Sequence, residues 1–263
     1  MLKKVLKYDL KNLFKTLLPI YLITLVITIL TIIFNNLSDL SNLFSTLNAL
    51  VVFAYVIILM ILLIGTFFLN IRDFYLDFTS ERAYLVNTLP VKKSTILTSK
   101  VLTSLITAIS STVIFMISIC ILIIGNGEWT SFTNDLYTLF TYFTSDAWLM
   151  LILCIILIIV AYLSQISLCY LSIAIGQLKN TNKLAFSFIA YIVLYIIYEI
   201  YFALTLSSIF IISPDFVKQL DATFTPLASI NLLFIILIIL ILIIIAIIMP
   251  ITNYILNRKL NLE

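Results

Sequence analysis

The segment SINLLFIILIILILIIIAIIMP, residues 229–250, decides the class of fold. Between Leu232 and Met249 it carries no polar side chain. A run of about 18 apolar residues, rising about 1.5 Å each in an α-helix, is long enough to cross roughly 30 Å of hydrocarbon. Five further stretches meet the same test: 17–34, 50–70, 101–124, 148–176 and 184–206. Over the 263 residues the hydrophobic share is 63% and the charged share 10%, with a mean hydropathy of +1.23. A soluble domain has about a quarter of its residues charged, so this supply cannot cover a surface facing water. The chain reads as an all-α membrane protein of six transmembrane helices, a single transmembrane domain over 1–263. No stretch of ordinary domain size is left for an ATPase, a kinase or a nucleic-acid reader.

The basic residues set the expected topology. Lys3, Lys4, Lys7, Lys11 and Lys15 precede the first span; Arg72, Arg82, Lys92, Lys93 and Lys100 lie between the second and third; Lys179 and Lys183 lie between the fourth and fifth; Arg258 and Lys259 follow the sixth. Of the 15 basic residues only Lys218 falls on the other side. By the positive-inside rule both termini are expected in the cytoplasm. The formal charge of +3 averages over a polarised molecule and is no argument for nucleic-acid binding.

Histidine is absent and the three cysteines, Cys120, Cys154 and Cys169, all fall within spans. The first fact removes the usual zinc, haem and histidine-base constellations and leaves carboxylate-based sites open; no catalytic residue, metal or cofactor site is expected in this chain. The second argues for small apolar packing residues rather than disulfides. The first span ends in TIIFNNLSD, without a small-residue cleavage pattern, and is expected to be retained as an anchor.

Residues 1–16 pattern as an amphipathic helix lying in the interface. Lys4, Lys7, Lys11 and Lys15 cluster on one face and Leu2, Leu6, Leu10, Leu13 and Leu17 on the other, with Asp9 interrupting the apolar side. Pro19 can sit in the first turn of the following span or mark an elbow before it. The third span can begin at an N-cap on Ser94 and run to Gly125. An external loop of roughly 22 residues follows it, and Trp129 and Trp148 are placed as interfacial anchors. In the fourth span Ala161, Gln165, Ser172 and Gly176 share an arc beside Cys169, a small and polar face suited to helix contact. The sixth span, with nothing polar on it, is expected at the periphery, facing lipid. Between the last two spans, residues 207–228 hold apolar pieces broken by Pro214 and Pro226 and suit a broken hairpin dipping into the outer leaflet.

Glu199 is the only acidic residue inside a predicted span, next to a helical face of Phe188, Tyr191, Tyr195, Tyr198 and Phe202. A carboxylate exposed to lipid costs several kcal/mol, so it must be neutral, face a cavity or meet a donor. Two readings stand. In one, Tyr191, Tyr195, Tyr198, Glu199, Phe202 and Gln165 line a translocation path; in the other, Glu199 is a buried protonated acid or a tyrosine-bonded glutamate holding helices together.

The stretch IRDFYLDFTSERAYLVNTLPVKKSTILTSK, residues 71–100, lies between the second and third spans. Thr79 or Ser80 can cap a short helix through Glu81 and Leu85 to Thr88, and Pro90 makes its continuation past Leu89 unfavourable. A short amphipathic helix there is well placed to receive a mechanical input. This segment resembles one found in the membrane permease subunits of type-2 ABC exporters of Gram-positive bacteria, on Asp73, Phe74, Asp77, Phe78, Glu81, Tyr84, Thr88, Leu89, Pro90, Val91, Lys92, Ser99 and Lys100. The resemblance implies the type-2 exporter transmembrane fold in a bacterial cell membrane, with an N-terminal interfacial helix. It also implies a coupling helix, on Glu81, Arg82, Tyr84, Leu85, Thr88, Leu89 and Pro90, that docks on a separate ATP-binding subunit. The assembly it implies has two permease chains, this one with a second copy or a homologous permease, and two ATPase chains that hold the ATP and Mg.

The chain has no GxxxxGK[ST] phosphate loop, so hydrolysis of ATP is expected on the partner and no enzyme activity here. An ion-coupled transporter or channel using Glu199 is the alternative, disfavoured by the scarcity of membrane prolines and glycines that would mark broken ion-binding helices. A non-transporting membrane immunity or assembly protein is a further one.

Overall fold

The computed structural model describes residues 2–79, 82–83, 88, 91–141, 143–179, 182–212 and 226–258. They form α1 (Leu2–Leu37), a 3-10 turn (Ser38–Leu40), α2 (Asn42–Thr79), α3 (Lys93–Gly125), α4 (Trp129–Thr141), α5 (Ser145–Gly176), α6 (Lys183–Ile212) and α7 (Pro226–Arg258), with no strand among the described residues. All but α4 are long and apolar enough to cross a membrane, six spans in all.

Several helices outlast the hydrophobic runs that predict them. The 36 residues of α1 extend over about 54 Å and the 38 of α2 over about 57 Å, well beyond a hydrocarbon core of about 30 Å. α1 passes through Pro19 without a break, so residues 2–16 are its opening turns rather than a separate helix before an elbow. Their apolar side is covered in part, with Leu13 buried, Leu6 and Leu10 half-buried and Leu2 exposed, and all five lysines are exposed. α7 likewise continues through Pro250 to Arg258. The span between α3 and α5, expected as a loop, contains the 13-residue α4, none of whose residues is buried. Of the 207–228 stretch, residues 207–212 continue α6, while 213–225 lie outside the described residues.

The chain divides into two compact units: Met1–Asp73 with Thr98–Tyr142, and Phe74–Leu97 with Phe143–Glu263. The division falls inside α2, inside α3 and in the link between α4 and α5.

The first unit has a polar interior. Thr24, Thr28 and Thr31 of α1, Thr66 and Asn70 of α2, and Ser99, Thr103, Thr107, Ser111 and Ser118 of α3 are buried. Their hydroxyls bond across helices. Ser118 Oγ is 2.8 Å from Thr28 Oγ1 and 2.9 Å from Tyr55 Oη. Because Thr28 donates its proton to Thr24 O, Ser118 must donate to Thr28 and accept from Tyr55, one oriented chain through three helices. Ser111 Oγ bridges Tyr21 Oη at 2.9 Å and Thr66 Oγ1 at 2.7 Å, and Asn70 Nδ2 donates to Thr107 Oγ1 at 3.0 Å. In hydrocarbon such bonds average about 0.6 kcal/mol each. They set which helix faces meet, a choice that uniformly apolar surfaces leave open.

The far end of α3 closes through a left-handed glycine. Gly127 has φ +75°, its N–H donates to Ile124 O and that of Glu128 to Ile123 O. This pair of bonds is a Schellman ending that satisfies the last carbonyls of the helix. Gly125, just before it, lets α1 approach so closely that a Cβ there would fall 2.5 Å from the Ile32 side chain.

The second unit is built on α5. From Ile166 to Ala174 every residue is buried, so the helix is enclosed around its whole circumference. α7 lies along it, with Ile238, Ile241, Ile248 and Leu256 buried on one side and Ile235, Ile239, Leu242 and Ile247 exposed on the others. The core of Leu168, Leu171 and Ile248 receives Tyr191, Leu194 and Tyr198 from α6. At the turn between α5 and α6, Gly176 has Ser187 and the Lys183 carbonyl where its Cβ would stand.

Candidate functional site

Three sets of residues lie where the sequence concentrates chemistry. The first comprises the roots of the 71–100 segment. In the first unit Lys100 Nζ sits 3.0 Å from Asp9 Oδ1 and 2.6 Å from Asp73 Oδ2. Ser99 Oγ donates to Asp9 Oδ2 at 2.8 Å and Asn12 Nδ2 to Asp73 Oδ1 at 2.8 Å. Asp73 and Lys100 are 5% and 3% exposed, so these charges are largely desolvated and depend on one another. The helix pattern brings them together: Asp9 and Asn12 are three apart on α1 and share a face, Asp73 lies on the last part of α2 within this unit, and Ser99 and Lys100 open the long apolar course of α3.

Beyond Asp73 the segment packs with the second unit. Phe74 stacks on Tyr170 of α5 with centroids 3.9 Å apart and rings within 12° of parallel, and Phe78 tilts against Phe74 at 4.7 Å. Thr79 Oγ1 accepts from Gln177 Nε2 at 3.3 Å, just past the end of α5. On the return, Lys93 Nζ donates to Leu256 O at 2.9 Å. That carbonyl is among the last four of α7, which have no intrahelical partner and attract a cation. Both arms of the segment are thus fastened to the ends of α5 and α7.

Of the residues expected to couple to a partner, Arg82 and Thr88 are helical and exposed, with Ala83 between them buried. Glu81, Tyr84, Leu85, Leu89 and Pro90 lie outside the described residues.

The second set is the tyrosine face of α6, which divides. Tyr191 and Tyr198 turn inward onto the α5–α7 core, and Tyr198 Oη is 3.3 Å from Ser164 Oγ. Tyr195 and Glu199 are exposed, with a side-chain hydrogen bond between them one turn apart. Phe202 is half-buried and packs on Tyr198 at 4.8 Å; Gln165 is half-buried on α5. The reading of Glu199 as a buried acid does not hold within one chain: its neighbours Ile196, Ile197, Ile200 and Leu204 are all exposed.

The third set, the hydroxyl ladder of the first unit, is not anticipated by the apolar reading of the third span. Its trace in the sequence is the four-residue spacing of Ser99, Thr103, Thr107 and Ser111, one stripe of a helix. Asp9, likewise, reads only as an interruption of an apolar face until Lys100 is found opposite it.

Comparison of the chain with known protein families, with curated proteins and with solved structures gives no match. Six of the described helices are long and apolar enough to cross a membrane, which makes this a multi-pass helical membrane protein.

Proposed function

We propose that this chain is the membrane-spanning permease subunit of an ATP-driven exporter of the type-2 ABC kind, moving an amphiphilic substrate such as an antimicrobial peptide, a drug or a lipid. A separate ATP-binding subunit hydrolyses ATP with Mg and bears on residues 71–100 from the cytoplasm. One observation carries this reading. The segment 74–97 packs with the second unit, while the residues at its two roots, Asp73 and Lys100, are ion-paired inside the first. A protein that pushed on the segment would therefore load the ends of α5 and α7, near which Phe74 and Lys93 fasten it. Exposed Tyr195 and Glu199 fit a wall of the path facing a second copy or a homologous permease, where water could solvate the carboxylate.

The test is copurification from source-cell membranes with a soluble ATP-binding protein, before and after replacing both Tyr84 and Leu85 with aspartate. The unaltered chain is expected to retain the ATPase and the double variant to lose it while staying folded. Equal retention by both would remove this segment from the coupling role.

A further inference from the structure

We propose that α4 is a lipid-binding surface. It lies along the membrane at the end of α3, with Trp129, Phe132, Leu136, Leu139 and Phe140 set among the headgroups and upper chains of neutral phospholipid. This surface stands apart from the transport reading.

The residues of α4 sort by angle. At 100° per residue those five share an arc of about 100°, with Thr133 and Tyr137 at one margin. Thr130, Ser131, Asn134, Asp135, Thr138 and Thr141 take the opposite side. Protein covers only part of the apolar arc. Phe132 and Leu136 are half-buried, whereas Trp129, Leu139 and Phe140 are 43%, 57% and 46% exposed.

The medium that meets these rings follows from how α4 is tied. α3 is apolar up to Ile124. Glu128 N–H donates to Ile123 O at 3.1 Å, and Glu128 O accepts from Phe132 N–H at 2.9 Å. One residue thus joins the last turn of α3 to the first of α4, with no slack between a membrane-crossing helix and its successor. Past the other end only residues 142–144 separate Thr141 from Ser145, where the span α5 begins. The 13 residues of α4 extend about 20 Å, too short to cross about 30 Å of hydrocarbon. Thr141 to Ser145 reaches at most about 14 Å. An upright α4 would lift Thr141 beyond that reach, so its axis runs along the surface, where an aromatic and leucine face meets lipid.

Charge selects the kind of lipid. No basic residue occurs between Lys100 and Lys179, while Glu128 and Asp135 stand on this stretch. Nothing draws an anionic headgroup, and the attraction is burial of apolar surface alone.

The experiment places a single tryptophan on either face of α4. Trp129 and Trp148, the two tryptophans of the chain, are both replaced by phenylalanine, and Phe140→Trp or Asn134→Trp is added. Each full-length variant is reconstituted in phosphatidylcholine vesicles. Its fluorescence is quenched by acrylamide from the water, or by phosphatidylcholine brominated near the top of the acyl chains. Acrylamide is expected to quench Asn134→Trp at least about fivefold more strongly than Phe140→Trp, and brominated lipid to show the reverse order. Exchanging a third of the lipid for phosphatidylglycerol is expected to change lipid quenching of Phe140→Trp by less than about twofold. Equal quenching of the two positions by either agent overturns the proposal. So does a Phe140→Trp reached by neither agent, which would mean that protein covers the face, or lipid quenching that requires phosphatidylglycerol. Leu139→Trp, on the same arc, replaces Phe140→Trp if the latter does not yield folded protein, and is held to the same outcomes.

Discussion

Replacing Lys100 with methionine tests the electrostatics of the buried triad it forms with Asp9 and Asp73. The substitution keeps most of the stem volume and removes the charge. Lys100 Nζ stands 3.0 and 2.6 Å from its two carboxylate oxygens. At an effective dielectric of about 20, each such contact is worth about 5–6 kcal/mol before solvation is counted. Desolvation of three charged groups offsets most of that, which is why the useful magnitude is the loss on removing one partner from a buried pair, about 3–5 kcal/mol. The loss is large against a total stability of about 5–15 kcal/mol. At about 2–4 °C per kcal/mol for a chain of this size it lowers the unfolding temperature by at least about 6 °C. The assay is the fraction of monodisperse protein surviving a heating series in detergent. Asp9→Asn, which leaves one intact pair, should cost less than Lys100→Met. A shift under about 1 °C for Lys100→Met, the scale of an ordinary surface substitution, would refute the account of the triad as desolvated and interdependent.

On the proposed function, Glu199→Gln is expected to purify in normal yield with the proposed ATPase partner and to lose substrate-stimulated ATP hydrolysis, since it removes a charge that the second unit does not enclose; unchanged stimulation would take Glu199 out of the proposed path. Gly176→Ala should lower the unfolding temperature by the cost of overpacking, about 1–3 kcal/mol, because its Cβ meets both the Ser187 side chain and, at 2.9 Å, the Lys183 carbonyl. Adding Ser187→Ala should return only part of that loss in the same heating series, as the backbone carbonyl stays where it is; complete recovery would show that the carbonyl contact does not matter.

The six spans are legible because crossing a bilayer is a property of each segment alone. A helix satisfies its own backbone, and the supply of apolar residues over about 18 positions decides whether lipid accepts it. Where helices end is less legible: α1 and α7 run on through Pro19 and Pro250, and α4 forms in a stretch that reads as loop. The candidate site was legible in part. The 71–100 segment stands out by its charge, its proline and its position. The division of the tyrosine face does not, since Tyr195 and Tyr198 differ by three residues in sequence yet one faces outward and the other the core.

Sequence alone determined the solvent, the number of crossings, the expected side of the lysines and the absence of a phosphate loop, all of them sums or local patterns. Only the tertiary structure decided which hydroxyls bond, which lysine meets two aspartates, and that the chain changes units in the middle of two helices. The physical reason is that leucine and isoleucine surfaces pack on one another with little preference, so helix pairing is set by a few polar contacts whose partners lie about 90 residues apart, as Asp9 does from Ser99 and Tyr21 from Ser111. Each partner is unremarkable in its own segment, and it acquires a role only when rotation and register bring the other within bonding distance.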